Sequence, residues 1–303
     1  MIGPQDVVNG LLLGATISLG AIGVTLTYSI LRFANFTHGD FITWGAYAAL
    51  AALGLWTAAT GGGIGQLGPL SFGWPLLGAL LVAVAATALL ALALDAVLFR
   101  ALRRRGTPLA LVIASFGASL ALRHLLVFAQ GPQPEYFTRE ISIARELLPG
   151  VRVTADQLVV LGLTAALVLA LHLLLRRTAL GRAMRATSEN PTLVRVVGID
   201  PDAVARATWV IGGALAAVAG VLVGVTVQVR PLMGFELLLP LFAAAILGGI
   251  GSVYGAVLGG LLVGLAEALA VPVVGAEYRA AVSFLVLVAV LLLRPQGLLG
   301  EPE

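Results

Sequence analysis

PLLGALLVAVAATALLALAL, residues 75–94, runs without one charged side chain. A helix rises 1.5 Å per residue, so about 20 residues cross a hydrocarbon core of ~30 Å. This stretch is that long. The pattern recurs in QLVVLGLTAALVLALHLLL, residues 157–175, and again further along the chain. Backbone groups in lipid must bond within the segment or within a closed barrel. A barrel strand alternates apolar and polar residues over about ten positions. These runs are continuous Leu, Ala, Val and Gly, so they read as membrane-spanning helices.

The rest of the composition agrees. Of 303 residues 59% are hydrophobic and only 11% charged, and the mean hydropathy is +1.03. Soluble domains carry about 25% charged residues. The deficit extends along the whole chain, which excludes a soluble domain on one anchor. Eight membrane segments are predicted, at about 9–31, 40–56, 75–99, 108–129, 157–175, 208–229, 237–271 and 279–293. The fold class is therefore an all-α integral membrane protein, with residues 1–303 forming one transmembrane domain. The start, MIGPQDVVNG, lacks the basic stretch of a secretory signal, so the first apolar run reads as a retained span.

The seventh segment is too long for one straight span. It holds Pro240 and the cluster Gly248, Gly249, Gly251, Ser252. A short half-helix, a break near Gly251–Ser252 and a full helix from about Tyr254 to Val271 are expected. Irregular backbone at membrane depth needs cover from protein or a water-filled cavity. The break is thus either a cavity wall or a tight turn between closely packed helices.

All 18 basic residues are arginine, and there is no cysteine. Disulfides and thiolate metal sites are excluded. A phosphate-binding GxxxxGK[ST] loop needs lysine and is excluded too. The pI near 9.8 does not point to nucleic acid, because the arginines lie between spans. Arg100, Arg103, Arg104 and Arg105 fall in one such segment, and Arg176, Arg177, Arg182, Arg185, Arg195 and Arg206 in another. With Arg32 and Arg294 they share one side if segment seven crosses twice. Arg139, Arg145, Arg152, Arg230 and Arg279 take the other. Arginine bias marks the first side as cytoplasmic, which puts the N-terminus outside and the C-terminus inside.

Two loops are long. Residues 130–156, outside, read as a surface loop or cap. Residues 176–207, inside, carry more information. Asn190-Pro191 suits the start of a short helix, TLVRVVG is apolar and stopped by Gly198, and Asp200-Pro201-Asp202 opens the next span. An apolar helix in the cytosol calls for a partner or lies on lipid headgroups. Between spans one and two, Asn35, Thr37, His38, Gly39 and Asp40 form a polar cluster. Capping by Thr37 or Asp40 accounts for it, and a lone His38 makes no metal site. Asp95, Arg123, His124 and Glu267 sit towards span ends, from which they can snorkel to water. The absence of a mid-span charge argues against an ion-coupled carrier. His38, His124 and His172 lie in separate segments, and HExxH and GxSxG are missing, so an intramembrane enzyme has no support. Glycines at GxxxG spacing (Gly10 and Gly14, Gly220 and Gly224, Gly255 and Gly259, Gly260 and Gly264) read as general close packing.

Taken together, these residues give the chain a resemblance to permease subunits of ABC importers for branched-chain amino acids, of the LivH type. Asn35-Phe36-Thr37-His38-Gly39-Asp40 looks like that family's N-F-x-H-G-[DE] at the opening of the second span. Gly181-Arg182-Ala183-Met184-Arg185-Ala186, Glu189-Asn190 and Gly198-Ile199 are similar to its ATPase-docking loop. Gly248-Gly249-Ile250-Gly251-Ser252 and Arg294-Pro295-Gln296-Gly297-Leu298 complete the likeness, which covers essentially the whole chain. The docking stretch departs from the general ABC permease pattern in having Pro191-Thr192-Leu193 where an E-A-A triplet is usual. The resemblance implies a bacterial or archaeal inner-membrane protein with no catalytic residue and no cofactor of its own. Two cytoplasmic ATPase subunits would use ATP, with residues 188–198 docked in their clefts. A paralogous permease would share the pore and an extracytoplasmic binding protein would deliver substrate. Relatives in the wider family handle urea or short amides, and a stand-alone secondary transporter is the remaining alternative.

Overall fold

The computed structural model describes residues 3–63, 65–138, 140 and 142–300. The helices are α1 (Pro4–Leu31), α2 (Thr37–Thr60), α3 (Trp74–Leu94), α4 (Arg100–Arg105) and α5 (Pro108–Gln130), then α6 (Ala155–Arg177), α7 (Ala179–Glu189), α8 (Leu193–Val196), α9 (Pro201–Thr226), α10 (Met233–Gly248), α11 (Val253–Val274) and α12 (Arg279–Leu293). Strands β1 (Arg145–Leu148) and β2 (Val151–Val153) lie between α5 and α6. Among the described residues eight helices are long and apolar enough to cross a membrane. The ninth apolar helix, α10, has 16 residues, a length of about 24 Å at 1.5 Å per residue, and stops short of a full crossing.

Local chemistry sets the helix starts. Thr107, Thr154, Asp200 and Ser252 each accept a backbone N–H of the first turn, at Ala110, Gln157, Asp202 and Gly255. Pro108 and Pro201 occupy first positions, where their missing N–H costs nothing. Helices α1 and α9 form the centre of the bundle, with α2, α3 and α11 packed against them, and α12 lies at the edge. The glycine-rich faces of α1 and α11 meet within the chain: a Cβ on Gly14 would sit 2.7 Å from the Leu261 Cα.

Each end of the bundle is tied together. At one end Gln5 bonds the backbone of Arg152, the Ser71 N–H donates to Asp156 at 3.0 Å, and Glu135 bridges Val229 through backbone. At the other, Arg32 donates to the Ser188 carbonyl, Arg104 to Asp202 at 2.9 Å, and Arg185 to the Leu175 carbonyl. The arginine-rich segments therefore share one end. Arg139 lies outside the described residues.

The structure departs from the expectations in definite places. The third span does not stop at residue 99: it passes through a π-helical turn, Asp95–Phe99, and stays helical to Arg105. That turn buries Phe99, stacked on Trp209 at 5.0 Å with Phe33 at 5.4 Å. The 130–156 loop contains an antiparallel hairpin turning at Pro149-Gly150, where Gly150 has φ +78°. Proline followed by a positive-φ glycine is type II turn chemistry. The 176–207 stretch holds an unforeseen helix, α7, while α9 begins at Pro201, where Asp200-Pro201-Asp202 reads as a helix start, ahead of its apolar core at 208. Asp95, Arg123 and Glu267 do not snorkel. All three are buried, with Asp95 bonded to Arg103, Arg123 to Ser119, and Glu267 accepting from Ser283.

The seventh segment divides into α10 and α11. Gly249 and Gly251 adopt φ +100° and +97° at the turn. The last carbonyls of a helix need partners, and here the C-terminal tail supplies them. Leu298 N–H donates to the Leu247 carbonyl at 2.8 Å and Leu299 N–H to the Gly248 carbonyl at 3.0 Å. The break is a tight turn sealed by residues 297–300.

Candidate functional site

The opening of α2 is a buried polar knot. Neither Thr37 nor Asp40 caps it. The Asn35 carboxamide oxygen does, accepting from the Thr37 N–H at 3.1 Å and from the Thr37 hydroxyl. This Asx-type turn frees Asp40 for another role. Phe36 N–H donates to Ser115 of α5 at 3.2 Å. His38 is buried in a notch over Gly23 of α1, edge-on to Phe41 at 6.4 Å. Gly39 touches α10, where a Cβ would meet the Gly234 carbonyl and the Leu238 Cγ.

Asp40 points at α5. The Ser119 hydroxyl donates to its carboxylate, and Arg123 lies 3.5 Å away, itself donating to Ser119 at 3.0 Å. Asp40 is 1% exposed and Arg123 7%. Phe235, on the first turn of α10, covers the guanidinium at 3.9 Å, a cation–π geometry. A charge in hydrocarbon is expensive unless paired, and this pair joins spans far apart in sequence. Ser119, Arg123 and Phe235 were missed as site residues. The available signal was the acidic residue of the second span set against one arginine inside a span, with nothing to say that they meet.

Residues 179–199 form a helix–turn–helix at the arginine-rich end. Gly181, Met184 and Thr187 bury one face of α7. The close approach of Gly181 to Leu174 and Leu175 lets α7 fold back against α6. Arg182 and Glu189 are exposed, as is Arg185, whose guanidinium reaches back to α6. Asn190 ends α7, and its side chain accepts from Thr192 and Leu193 N–H at 3.0 and 2.9 Å, starting α8. Gly198 stops α8 at φ +81°, with its N–H on the Arg195 carbonyl and the Ile199 N–H on the Val194 carbonyl. That bond pair is a Schellman motif. Leu193, Val196 and Val197 stand 63%, 82% and 68% exposed, an apolar knob with no cover from the described residues of this chain.

Two of the stretches are joined. Arg32, the one non-glycine residue with positive φ (+58°) among those described, ends α1 and reaches the Ser188 carbonyl of α7. The α1–α2 turn, three residues before Asn35, is thereby bonded to α7. Gly248, Gly249, Gly251 and Ser252 lie apart from the knot, at the turn that the C-terminal tail seals.

An apolar helix bundle with a buried intramembrane ion pair and an uncovered apolar hook at its arginine-rich end is the body of a membrane permease subunit. The chain belongs to the family of permease components of branched-chain amino acid transport systems, whose profile matches residues 7–291. It is 36% identical to the high-affinity branched-chain amino acid transport system permease protein BraD of Pseudomonas aeruginosa, over 99% of this chain and 96% of that one. The Escherichia coli permease protein LivH is also 36% identical, with the same coverage. A probable LivH of Methanocaldococcus jannaschii is 28% identical over 92% and 87%. This is a multi-pass protein of the cytoplasmic membrane, a transport subunit rather than an enzyme.

Proposed function

We propose that the chain forms one transmembrane part of an ATP-driven importer for branched-chain amino acids. Kinship along nearly its whole length with permeases named for that transport carries this reading. The arginine-rich end faces the cytoplasm, so the N-terminus is outside and the C-terminus inside. Residues 176–207 meet two cytoplasmic ATPase subunits, with α8 seated in an ATPase cleft through Leu193, Val196 and Val197. ATP is bound and hydrolysed there, and this chain holds no cofactor. A paralogous permease completes the pore, and an extracytoplasmic binding protein delivers the amino acid at the end carrying residues 130–156. ATPase closure pulls on α7–α8 and biases the bundle between outward- and inward-open states.

Affinity purification of the tagged chain from its native membrane tests the assembly. A nucleotide-binding ATPase and a second permease are expected to co-purify. Recovery of this chain alone, from membranes that contain both, would defeat the proposal.

A further inference from the structure

A chamber of about 260 Å³ opens at the end of the bundle that carries residues 130–156. Ser71, Thr138, Ser142, Asp156, Gln157 and Thr226 give it polar walls. The Ser142 hydroxyl is buried there, with no hydrogen-bond partner among the described residues. A narrow apolar slot of about 30 Å³, room for the end of a short aliphatic side chain, shares Asp156 and Val225 with the chamber. Leu76 and Leu80 of α3, Val159 and Leu163 of α6, and Val221 and Leu222 of α9 line the slot. Asp156 and Leu163 are seven residues apart, so the slot descends ~10 Å along α6. Asp156 stands where the two spaces meet. It is 5% exposed, and one carboxylate oxygen accepts from the Ser71 N–H at 3.0 Å. Tyr136, Phe137 and Thr138 form a strap along one wall of the chamber. Glu135 and Val229 pin it by exchanging backbone hydrogen bonds of 2.8 Å, and Tyr136 donates to the Gln228 side chain at 3.0 Å. The buried Phe137 ring lies against Gly224, and Gly131 ahead of the strap has φ +78°.

We propose that the chamber and slot receive the amino acid at the outer end of the permease, and that residues 135–138 are the lid of this site. The inference rests on the importer reading above and goes further, to the side chains that take the substrate from the binding protein. Small-molecule sites join an apolar hollow to a few placed polar groups, and the two spaces together have that composition. Asp156 meets the ammonium group, and the Thr138 and Ser142 hydroxyls donate to the carboxylate. The end of the aliphatic side chain enters the slot between α3, α6 and α9. Helix α9 lines both spaces and belongs to the centre of the bundle, so a molecule held here touches a central span. Opening the lid breaks the Glu135–Val229 bridge and the Tyr136–Gln228 bond and withdraws one ring. That change is confined to the strap and leaves the spans in place.

The test uses the complete importer in proteoliposomes, with binding protein, both permeases and ATPases, and labelled leucine. This chain has no cysteine, so a cross-link can be placed in it at a chosen pair. Residues that exchange both backbone bonds across an antiparallel bridge have Cα atoms ~5.5 Å apart, within the reach of a disulfide. E135C/V229C importer, assembled reduced and then oxidised, is expected to take up no leucine until a reductant reopens the bond. E146C/R152C, which cross-links the β1–β2 hairpin alone, is expected to keep wild-type uptake in both states. D156N keeps an acceptor for the Ser71 N–H and removes the charge. It is expected to lower uptake at limiting loaded binding protein by about tenfold, the scale of one charged hydrogen bond, with an unchanged melting temperature. V159W fills the slot and is expected to lower uptake in an importer that still assembles. Wild-type uptake by oxidised E135C/V229C or by D156N would overturn the proposal. So would a fall in D156N melting temperature that accompanies its loss of uptake, which would assign Asp156 to folding. If the wild-type importer moves no leucine with ATP, the importer reading itself falls, and this inference with it.

Discussion

Gly39 and Gly234 face each other across the contact between α2 and α10, each with the other's carbonyl where a Cβ would stand. The Gly234 N–H donates to Thr43 at 3.0 Å in the same contact. This approach brings the short helix against the polar knot and sets Phe235 over Arg123. Overpacking a tight contact costs ~1–3 kcal/mol. Gly39→Ala and Gly234→Ala are therefore expected to lower the melting temperature of the purified protein. Gly54→Ala, on the same α2 but with nothing within 4 Å, is expected to leave it unchanged or raise it, since alanine favours a helix by roughly 0.5–1 kcal/mol. Equal effects at Gly54 and Gly39 would remove the argument for the close contact.

Arg32 offers a separation of backbone from side chain. Its left-handed conformation costs a non-glycine residue ~1–2 kcal/mol, and its guanidinium holds the Ser188 carbonyl. Arg32→Gly keeps the turn and deletes the link. Reconstituted Arg32→Gly importer is expected to hydrolyse more ATP per amino acid imported than wild type, without loss of assembly. An unchanged ratio would show that the link plays no part in coupling.

The docking assignment is tested on exposed residues that the fold does not need. Val196→Asp and Val197→Asp place charges on the uncovered α8 knob and are expected to abolish ATPase co-purification while leaving thermal stability unaltered. Gly198→Ala strains a φ of +81°, at ~1–2 kcal/mol, and Glu189→Ala alters the end of α7. Both are expected to uncouple hydrolysis from uptake. Wild-type coupling in Gly198→Ala and Glu189→Ala would refute the docking role of this turn.

The tail makes a stability prediction. Truncation after Arg294 removes the Leu298 and Leu299 amides that satisfy the Leu247 and Gly248 carbonyls, and an unsatisfied buried carbonyl costs ~1–3 kcal/mol. A clear fall in melting temperature is expected, measured on detergent-solubilised protein. An unchanged value would mean that water or lipid headgroups satisfy α10 equally well.

Much of the fold is legible because lipid simplifies the reading. Uncharged runs of bilayer length reveal spans without knowledge of their neighbours, and Pro240 with Gly248–Gly251 marks where one of them divides. Asn190, Gly198 and Asp200-Pro201 are readable because caps and positive-φ glycines act over a few residues. What is not legible depends on meeting across the bundle. Arg123 looks like a residue near a span end until α2 brings Asp40 beside it. Helix α7 escapes notice because its buried face, Gly181, Met184 and Thr187, is sparse in apolar residues and finds cover only against other helices. The break under residues 297–300 could not be assigned to turn or cavity from sequence, because its seal comes from the far end of the chain.

The most direct test is uptake of labelled leucine into proteoliposomes holding the assembled importer, measured with and without enclosed ATP and with and without the binding protein. The expected result is accumulation only when both are present, abolished by charge on Val196 and Val197. Accumulation by this chain alone, driven by a proton or sodium gradient and indifferent to ATP, would contradict the account.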